Sequence, residues 1–315
     1  MSIRLTDSVI NNTILQSMLS NQSSLTKLST EISSDSKISV ASDDPLSAST
    51  ILQTNTALDK NTTYTNAVSS AQSELTTTDT SLVNLVNIIT KAKSLATQAA
   101  NGTNSTIDLA AIGDQITQLI SEVKDIGNTK IGNKYIFGGV NTATAPFTDA
   151  TGGGIQYNGT PSTSNYQRNV NIGDGVSVTI NLAGDSIFGQ SWTDNTTTPP
   201  TTNQSGLLGD LESLNTNLQS ATPNYSVISS SIDSLSSDLN TVTSAQANIG
   251  GIENRLTMAQ SALTSNKTSL TSIKSNAQNA DLTTLISEYE QQSTAYQAAL
   301  KVGSTIASIS ILSYL

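Results

Sequence analysis

The sequence contains neither cysteine nor histidine among its 315 residues. Without cysteine there are no disulfides, thiol nucleophiles or thiolate metal sites, and without histidine the commonest general base and zinc ligand are missing. The sequence has 14 Lys and Arg but 24 Asp and Glu. A basic surface that could bind phosphates is therefore not expected. The composition therefore argues against an enzyme, against a cofactor or metal, and against a nucleic-acid partner.

Aromatic and charged residues are also scarce, whereas Ser and Thr are abundant. Aromatic residues make up 4% of the chain, which predicts a thin core. Charged residues make up 12%, about half of the roughly 25% that is typical of globular domains. The first residues contain no apolar run long enough for a signal peptide, and no window is apolar enough to span a membrane. A soluble chain with no membrane partner is expected, exported without a cleaved signal if it acts outside the cell.

Apolar and small residues at both chain ends recur at alternating steps of three and four. This is the period of a helix that contacts another helix along one face. Residues 249–315 contain the longest such pattern, and the first forty residues repeat it. We predict that the two ends are helical and meet each other or their counterparts in neighbouring subunits. The candidate assembly residues are Ile14, Met18, Leu25, Leu28, Ile32, Leu285, Tyr289, Tyr296, Ile306, Ile309, Leu312 and Leu315.

Local signals predict where the other helices begin and end. Asp44 followed by Pro45 predicts the start of a long helix that ends near Ala100, before an Asn-Gly pair. A further helix is predicted from Thr106 to Gly127. Helical spacing returns at residues 207–218 and again after Pro223. These helices are rich in Ser and Thr, and we expect them to be unstable in isolation.

The helical period disappears between about residues 134 and 188. Short alternating runs are punctuated there by Asn158-Gly159 and Asp174-Gly175, which are typical of tight hairpins. Residues 194–205 contain a Pro/Thr segment that predicts an extended, exposed linker. The sequence therefore predicts a β-rich insertion followed by a linker.

The predicted fold is mainly α with a β insertion. It is an elongated bundle of long helices, whose N- and C-terminal helices pair as a coiled coil, with a small β-rich domain at the far end. We expect three domains. They are a terminal coiled-coil domain (1–40 with 285–315), a helical rod (41–140 with 205–284), and the insertion with its linker (141–204).

Four features could carry chemistry, but each has a plainer interpretation. Asp43 and Asp44 favour a helix cap over half of a metal site, and residues 152–154 favour a flexible loop over a phosphate loop, because no Gly-Lys-Ser/Thr follows. Tyr289 and Tyr296 favour packing over a ligand platform. Asn266 lies on an apolar seam, where it either fixes helix register or marks a solvated gap.

Seven short stretches resemble one protein family. They are residues 42–45 (SDDP), 79–82 (DTSL), 96–103 (ATQAANGT), 128–139 (NTKIGNKYIFGG), 145–147 (APF), 250–256 (GGIENRL) and 312–315 (LSYL). Together they resemble the bacterial flagellin-like axial proteins, and among them the members that join the flagellar hook to the filament. Asp35 stands where that family usually has glycine, which predicts a stiffer hinge after the first helix.

The resemblance implies a structural component of the bacterial flagellum. It implies an extracellular junction or adaptor between hook and filament, which is exported unfolded by the type III system and whose terminal helices become ordered on assembly. The implied partners are copies of itself in a ring, a neighbouring hook-associated protein, flagellin, and a cytoplasmic export chaperone on the C-terminal segment.

Two alternatives remain open. The chain could be a flagellin that polymerises into the filament itself, since flagellin shares the terminal architecture. Alternatively, it could be a secreted enzyme or adhesin whose activity lies in residues 140–200, where the available carboxylates are Asp149, Asp174, Asp185 and Asp194.

Overall fold

A computed structural model describes residues 2–151, 153–163, 168–194 and 201–312. The fold is mainly α-helical with a β insertion, as predicted. The helices are α1 (Ser2–Ser34), α2 (Pro45–Ala99), α3 (Thr106–Gly127), α4 (Asp185–Phe188), α5 (Gly206–Leu218), α6 (Tyr225–Gln278) and α7 (Leu282–Leu312). The strands are β1 (Lys130–Ile131), β2 (Lys134–Tyr135), β3 (Phe147–Asp149), β4 (Gly154–Tyr157), β5 (Asn169–Gly173), β6 (Val176–Thr179), β7 (Gln190–Asp194) and β8 (Thr201–Ser205).

The start of α2 that was predicted from Asp44 and Pro45 is confirmed. One oxygen of the Asp44 carboxylate accepts hydrogen bonds from the backbone N–H groups of Leu46 and Ser47, at 3.1 and 3.2 Å. At the start of α3, Ser105 and Asp108 form a reciprocal capping box. In both places a short polar side chain satisfies amides that the first helical turn leaves unpaired.

The insertion contains a four-stranded antiparallel sheet in the order β3-β4-β7-β8 and a separate β5–β6 hairpin. The hairpin turn at Asp174-Gly175 is confirmed, and Gly175 has a φ of +71°, which glycine adopts readily. The hairpin predicted at Asn158-Gly159 is wrong, because β4 pairs with β3 and β7 rather than with the strand that follows it.

The linker prediction for residues 194–205 is wrong at its C-terminal end. Residues 201–205 are a strand, β8, which pairs along its length with β7. Threonine is favoured in strands, and the pairing with β7 outweighs the proline signal upstream. The central part of the predicted linker, residues 195–200, lies outside the described residues.

The chain divides into two compact units, one made of residues 1–61 and 265–315 and the other of residues 62–264. We call them unit 1 and unit 2. The three-domain division proposed from the sequence remains a prediction.

Unit 2 contains a continuous hydrophobic core, to which α2, α3, α5, α6 and the strands contribute. At one point of this core lies an aromatic cluster, which we define as Phe137, Phe147, Tyr157 and Phe188. Phe188 lies 4.8 Å from Phe137 and 5.2 Å from Phe147, measured between ring centroids, and Phe147 lies 5.1 Å from Tyr157. All three phenylalanines of the sequence are in this cluster, and each is at most 1% exposed.

Unit 1 contains the terminal pair, by which we mean α1 packed against α7. Among the unit 1 side chains that the structure describes, Leu285 is the only fully buried hydrophobic one. No helix within the described ranges is long and apolar enough to cross a membrane.

Candidate assembly surface

The seam of the terminal pair has the same spacing on both helices. Steps of four and three alternate through Ile14, Met18, Asn21, Leu25, Leu28 and Ile32 on α1, and through Leu285, Tyr289, Gln292, Tyr296, Ala299 and Gly303 on α7. The helices run antiparallel. A Cβ atom added at Gly303 would lie 3.5 Å from Ile14 and 3.6 Å from Met18, whereas Ser36 forms a β-bridge with Asn279 at the other end.

The structure places most of the predicted assembly residues in this intramolecular seam. Ile14, Met18, Leu25, Leu28, Ile32 and Tyr296 are half-buried and Leu285 is buried. Only the helical backbone is described at Ile306, Ile309 and Leu312, and Leu315 lies outside the described residues. The assignment of these residues to an interface between subunits therefore remains a prediction.

A second apolar surface of the terminal pair was missed by the sequence reasoning. We call it the outer stripe, and its members are Leu15 and Leu19 on α1 and Leu282, Ile286, Tyr289 and Leu300 on α7. Their exposed fractions are 55%, 57%, 40%, 48%, 38% and 42%, in that order. Tyr289 was predicted to be a packing residue, but in the single chain it is exposed.

Sequence spacing could have revealed the outer stripe on α7. Leu282 and Leu300 are eighteen residues apart, which is five turns of an α-helix, and Ile286 and Tyr289 lie close to the same line. The single seam assumed from the heptad pattern is therefore one edge of a wider apolar band. A band of this width is typical of a protein–protein contact surface.

Backbone hydrogen bonds join the segment that follows α1 to the segment between α6 and α7. The Lys37 N–H donates to the carbonyl of Gln278 at 2.9 Å, next to the bridge between Ser36 and Asn279. Asp35 has a φ of +50°, a left-handed conformation that glycine adopts more readily. The helix thus ends just before Asp35. The stiffer hinge expected at this position remains a prediction.

Exposed carboxylates cap the helices next to these connections. Asp43 accepts hydrogen bonds from the backbone N–H groups of Val40 and Ser39, both at 3.0 Å, and these bonds lower the pKa of its carboxyl. Bonds from the hydroxyl and the backbone N–H of Thr284 lower the pKa of Asp281 at the start of α7. Asp44 thus caps α2, in agreement with the plainer interpretation, whereas Asp43 binds amides of the loop that precedes it.

The carboxylates of the insertion have structural partners. Asp149 forms an ion pair with Lys124 at 2.8 Å, Asp174 accepts a hydrogen bond from the hydroxyl of Tyr64 at 2.8 Å, and Asp185 accepts from the backbone and hydroxyl of Ser162. The side chain of Asp194 is outside the described set. Among the described residues, no three acidic side chains group together in a way that could hold a metal ion.

Two further acidic side chains share a half-buried site in unit 2. Asp210 on α5 and Asp238 on α6 are neighbouring acids, and burial raises the pKa of both carboxyl groups. Burial, together with the neighbouring Asp210, raises the pKa of Asp238 to about 7. One oxygen of Asp238 is buried with no hydrogen-bond partner. The other seam residue singled out from the sequence, Asn266, is exposed.

Two regions of the sequence match models of one protein family. The model of the bacterial flagellin N-terminal helical region matches residues 7–142, and that of the bacterial flagellin C-terminal helical region matches residues 232–315. Together the two regions span more than half of the chain. They contain all of α2, α3 and α7 and most of α1 and α6, and thus most of the terminal pair.

Two curated relatives carry the same name. The chain is 29% identical to flagellar hook-associated protein 3 of Escherichia coli (strain K12) over 187 residues, which is 59% of this chain and 56% of the relative. It is also 29% identical to the protein of that name from Salmonella typhimurium over 140 residues, 44% of each chain. The matched region thus spans about half the length of these relatives.

Solved structures show the same fold. One assigned to a flagellar hook-associated protein of Vibrio parahaemolyticus has a TM-score of 0.64 at 18% identity, and the match covers 75% of this chain and 100% of that chain. At this identity the likeness concerns the fold alone. Since the N- and C-terminal helical regions of one family match at the two ends of the sequence and form the helices described above, the chain belongs to the bacterial flagellin-like family.

Proposed function

We propose that this protein is a structural subunit of the bacterial flagellum that acts as an adaptor between hook and filament. The family and the name shared by the two curated relatives support this role. The site geometry supports it as well, because described side chains of the terminal pair present an exposed apolar surface. On this proposal the protein has no catalytic role.

The outer stripe is the observation that carries the proposal. Six apolar side chains stay exposed on the same two helices whose other faces already pack together. Burial of such side chains is favourable by roughly 25 cal/mol per Å² of apolar surface, so copies of the chain gain free energy by covering each other's stripes. In the proposed ring, each copy presents its stripe to a different face of the next copy, and the rotation between neighbours closes the ring.

Secretion in an unfolded state fits the same sequence. The chain has no cysteine that could cross-link in transit, and its helices are rich in Ser and Thr, which have low helix propensity. We infer that the terminal pair becomes fully stable only when neighbouring hook-associated protein, flagellin or further copies cover it. Before export, a cytoplasmic chaperone on the C-terminal segment would cover α7. The proposed location is extracellular, at the hook–filament junction.

A complementation experiment tests this proposal. In a strain that lacks the gene, we expect hooks to persist while filaments are lost and filament protein accumulates in the medium. The wild-type gene should restore filaments. A variant with Ile286→Ser and Tyr289→Ser should be exported and should fail to restore them, because it removes apolar surface from the outer stripe without touching a fully buried side chain.

Ile107→Ser is the matched control, since it exchanges an isoleucine that is 80% exposed on α3, a helix of unit 2. This variant should restore filaments as well as the wild type does. The deletion strain itself should form no filaments. If the outer-stripe variant restores normal filaments in that strain, the outer stripe is not an assembly surface.

A second candidate function is that of flagellin itself, because both matching family regions are those of flagellin. Seeded polymerisation separates the two roles. Purified chain added to filament fragments should elongate them without limit if it is a flagellin. An adaptor should bind to fragment ends and then stop, as observed by electron microscopy.

A further inference from the structure

Each seam of the terminal pair contains one amide side chain. On α1 the alternating steps of four and three pass through Asn21, and on α7 they pass through Gln292, whereas the other seam positions carry apolar, aromatic or small residues. The Gln292 side-chain N–H donates to the Asn21 amide oxygen at 3.1 Å, and both residues are half-buried. The two gaps in the apolar pattern therefore meet each other.

The rest of the seam distinguishes poorly between alternative alignments of α1 and α7. A slip of one heptad, about 10 Å along the axis, would again place seam positions opposite seam positions. Charges offer little help, since the ion pairs of Lys27 are with Glu31 and Asp43 and no ion pair between described side chains joins α1 to α7. Apolar packing alone thus leaves the register weakly determined.

The hydrogen bond between Asn21 and Gln292 forms in the observed alignment and is lost in the slipped ones. After a slip of one heptad, Asn21 would face the region of Ala299 or Leu285, and neither amide would have its partner. An unsatisfied half-buried amide is unfavourable, which is how one polar residue in an apolar seam selects a register at some cost in stability. The bridge at Ser36 and Asn279 joins main chains only, so it carries little sequence information.

We propose that Asn21 and Gln292 fix the axial register of α1 against α7. They are positioning residues, and through the register they set how Leu15 and Leu19 align with the α7 part of the outer stripe. Asn266, the residue to which the sequence pattern pointed for such a role, is exposed and does not perform it within the chain. This inference concerns the single chain and does not depend on the proposed function.

Disulfide mapping can measure the register, because the natural chain has no cysteine and each double-cysteine variant can form one intramolecular bond. Ile14→Cys with Gly303→Cys reports the observed register, since a Cβ at position 303 lies 3.5 Å from Ile14. Ile14→Cys with Ser310→Cys reports a slip of one heptad. The two variants share the cysteine on α1, so that the ratio of their oxidation rates measures the alignment.

With Asn21 and Gln292 intact, we expect the first pair to oxidise at least about tenfold faster than the second, because register selection by a buried polar pair is strong. Adding Asn21→Leu and Gln292→Leu should bring the ratio towards one. The melting temperature of the terminal pair should stay the same or rise, since the seam becomes more apolar. Exchange of the two amides, Asn21→Gln with Gln292→Asn, should restore the original ratio.

Several outcomes would overturn the proposal. Equal oxidation rates with both amides intact would show that the free chain has no preferred register. An unchanged ratio with both leucines would assign the register to the bridge between Ser36 and Asn279. Loss of helical circular dichroism in the leucine variant would mean that the amides stabilise the pair rather than select its alignment. The complementation experiment on the outer stripe is a separate measurement, so each of these outcomes would overturn the register proposal without deciding the proposed function.

Discussion

The aromatic cluster of unit 2 and the terminal pair of unit 1 differ in how completely the chain covers its own apolar side chains. The three phenylalanines of the cluster are at most 1% exposed, whereas Leu15 and Leu19 in α1 remain more than half exposed. Both regions come from a sequence with few aromatic and charged residues. The difference indicates that unit 2 is stabilised by contacts within the chain, and that the terminal pair has apolar surface left for a partner.

Acidic side chains show the same contrast. In unit 1, Asp44 and Asp281 cap helices and Asp43 binds loop amides, and hydrogen bonds from hydroxyl or backbone donors lower the pKa of each. In unit 2, burial raises the pKa of both Asp210 and Asp238. The two units should therefore respond in opposite directions when the pH falls.

The largest effect is expected from Phe147→Ala in the aromatic cluster. The ring of Phe147 contacts Phe188 and Tyr157, and Gly127 leaves room for it, because a Cβ there would lie only 2.5 Å from the ring. Loss of a buried phenylalanine ring costs about 3–5 kcal/mol, including the cavity it leaves. Thermal unfolding followed by tryptophan fluorescence should show a lower melting temperature for unit 2. A change below about 1 kcal/mol would mean that the cluster can repack.

A smaller and more local effect is expected from Leu285→Ala. This residue is 9% exposed in the seam, and its truncation should cost about 2 kcal/mol, the low end for a leucine. Hydrogen exchange should become faster in α1 and α7 while the amides of the aromatic cluster keep their protection. Faster exchange throughout unit 2 would contradict the view that the two regions are stabilised separately. Leu282→Ala, on the exposed side of α7, is the control and should leave exchange unchanged.

Short-range signals in the sequence predicted much of the fold. Helix caps such as Asp44 and Ser105 depend on neighbours within a few residues, so that their outcome could be inferred without tertiary information. The Asp174-Gly175 hairpin was predicted for the same reason. The Asn158-Gly159 hairpin was not correct, because the partners of β4 are strands distant in sequence, and turn chemistry does not identify them.

The candidate site was predicted only in part, since a heptad pattern does not say which partner each face meets. The seam residues of α1 and α7 were predicted. The outer stripe was missed because its residues lie beside the seam on the same helices, and a heptad pattern does not distinguish the two surfaces. Asn21 and Gln292 were passed over as gaps in the apolar spacing. Their meaning depends on which residue lies opposite, and each amide's partner is 271 residues away in the sequence.

The smallest of the expected effects concerns the pH dependence of unit 2. Because the pKa of Asp238 is raised to about 7 by burial and by Asp210, the folded chain binds a proton there that the unfolded chain releases above its ordinary value of 3.8. The stabilisation from this proton is therefore complete below about pH 4 and is lost as the pH rises through about 7. Asp238→Asn removes the ionisable group, and should stabilise unit 2 at pH 8 by about 1 kcal/mol after allowance for solvent screening.

Urea unfolding at pH 5 and pH 8 measures this difference. The wild type should lose stability between the two values, and Asp238→Asn should lose less, because its side chain cannot ionise. Asp233→Asn removes an exposed carboxyl from the same helix and should keep the wild-type slope. If Asp210→Asn behaves like Asp238→Asn, the effect belongs to the pair, since either change relieves the repulsion between two carboxylates that share one site. A slope that survives both changes would place the pH dependence elsewhere in the chain, and the contrast between the acids of the two units would no longer hold.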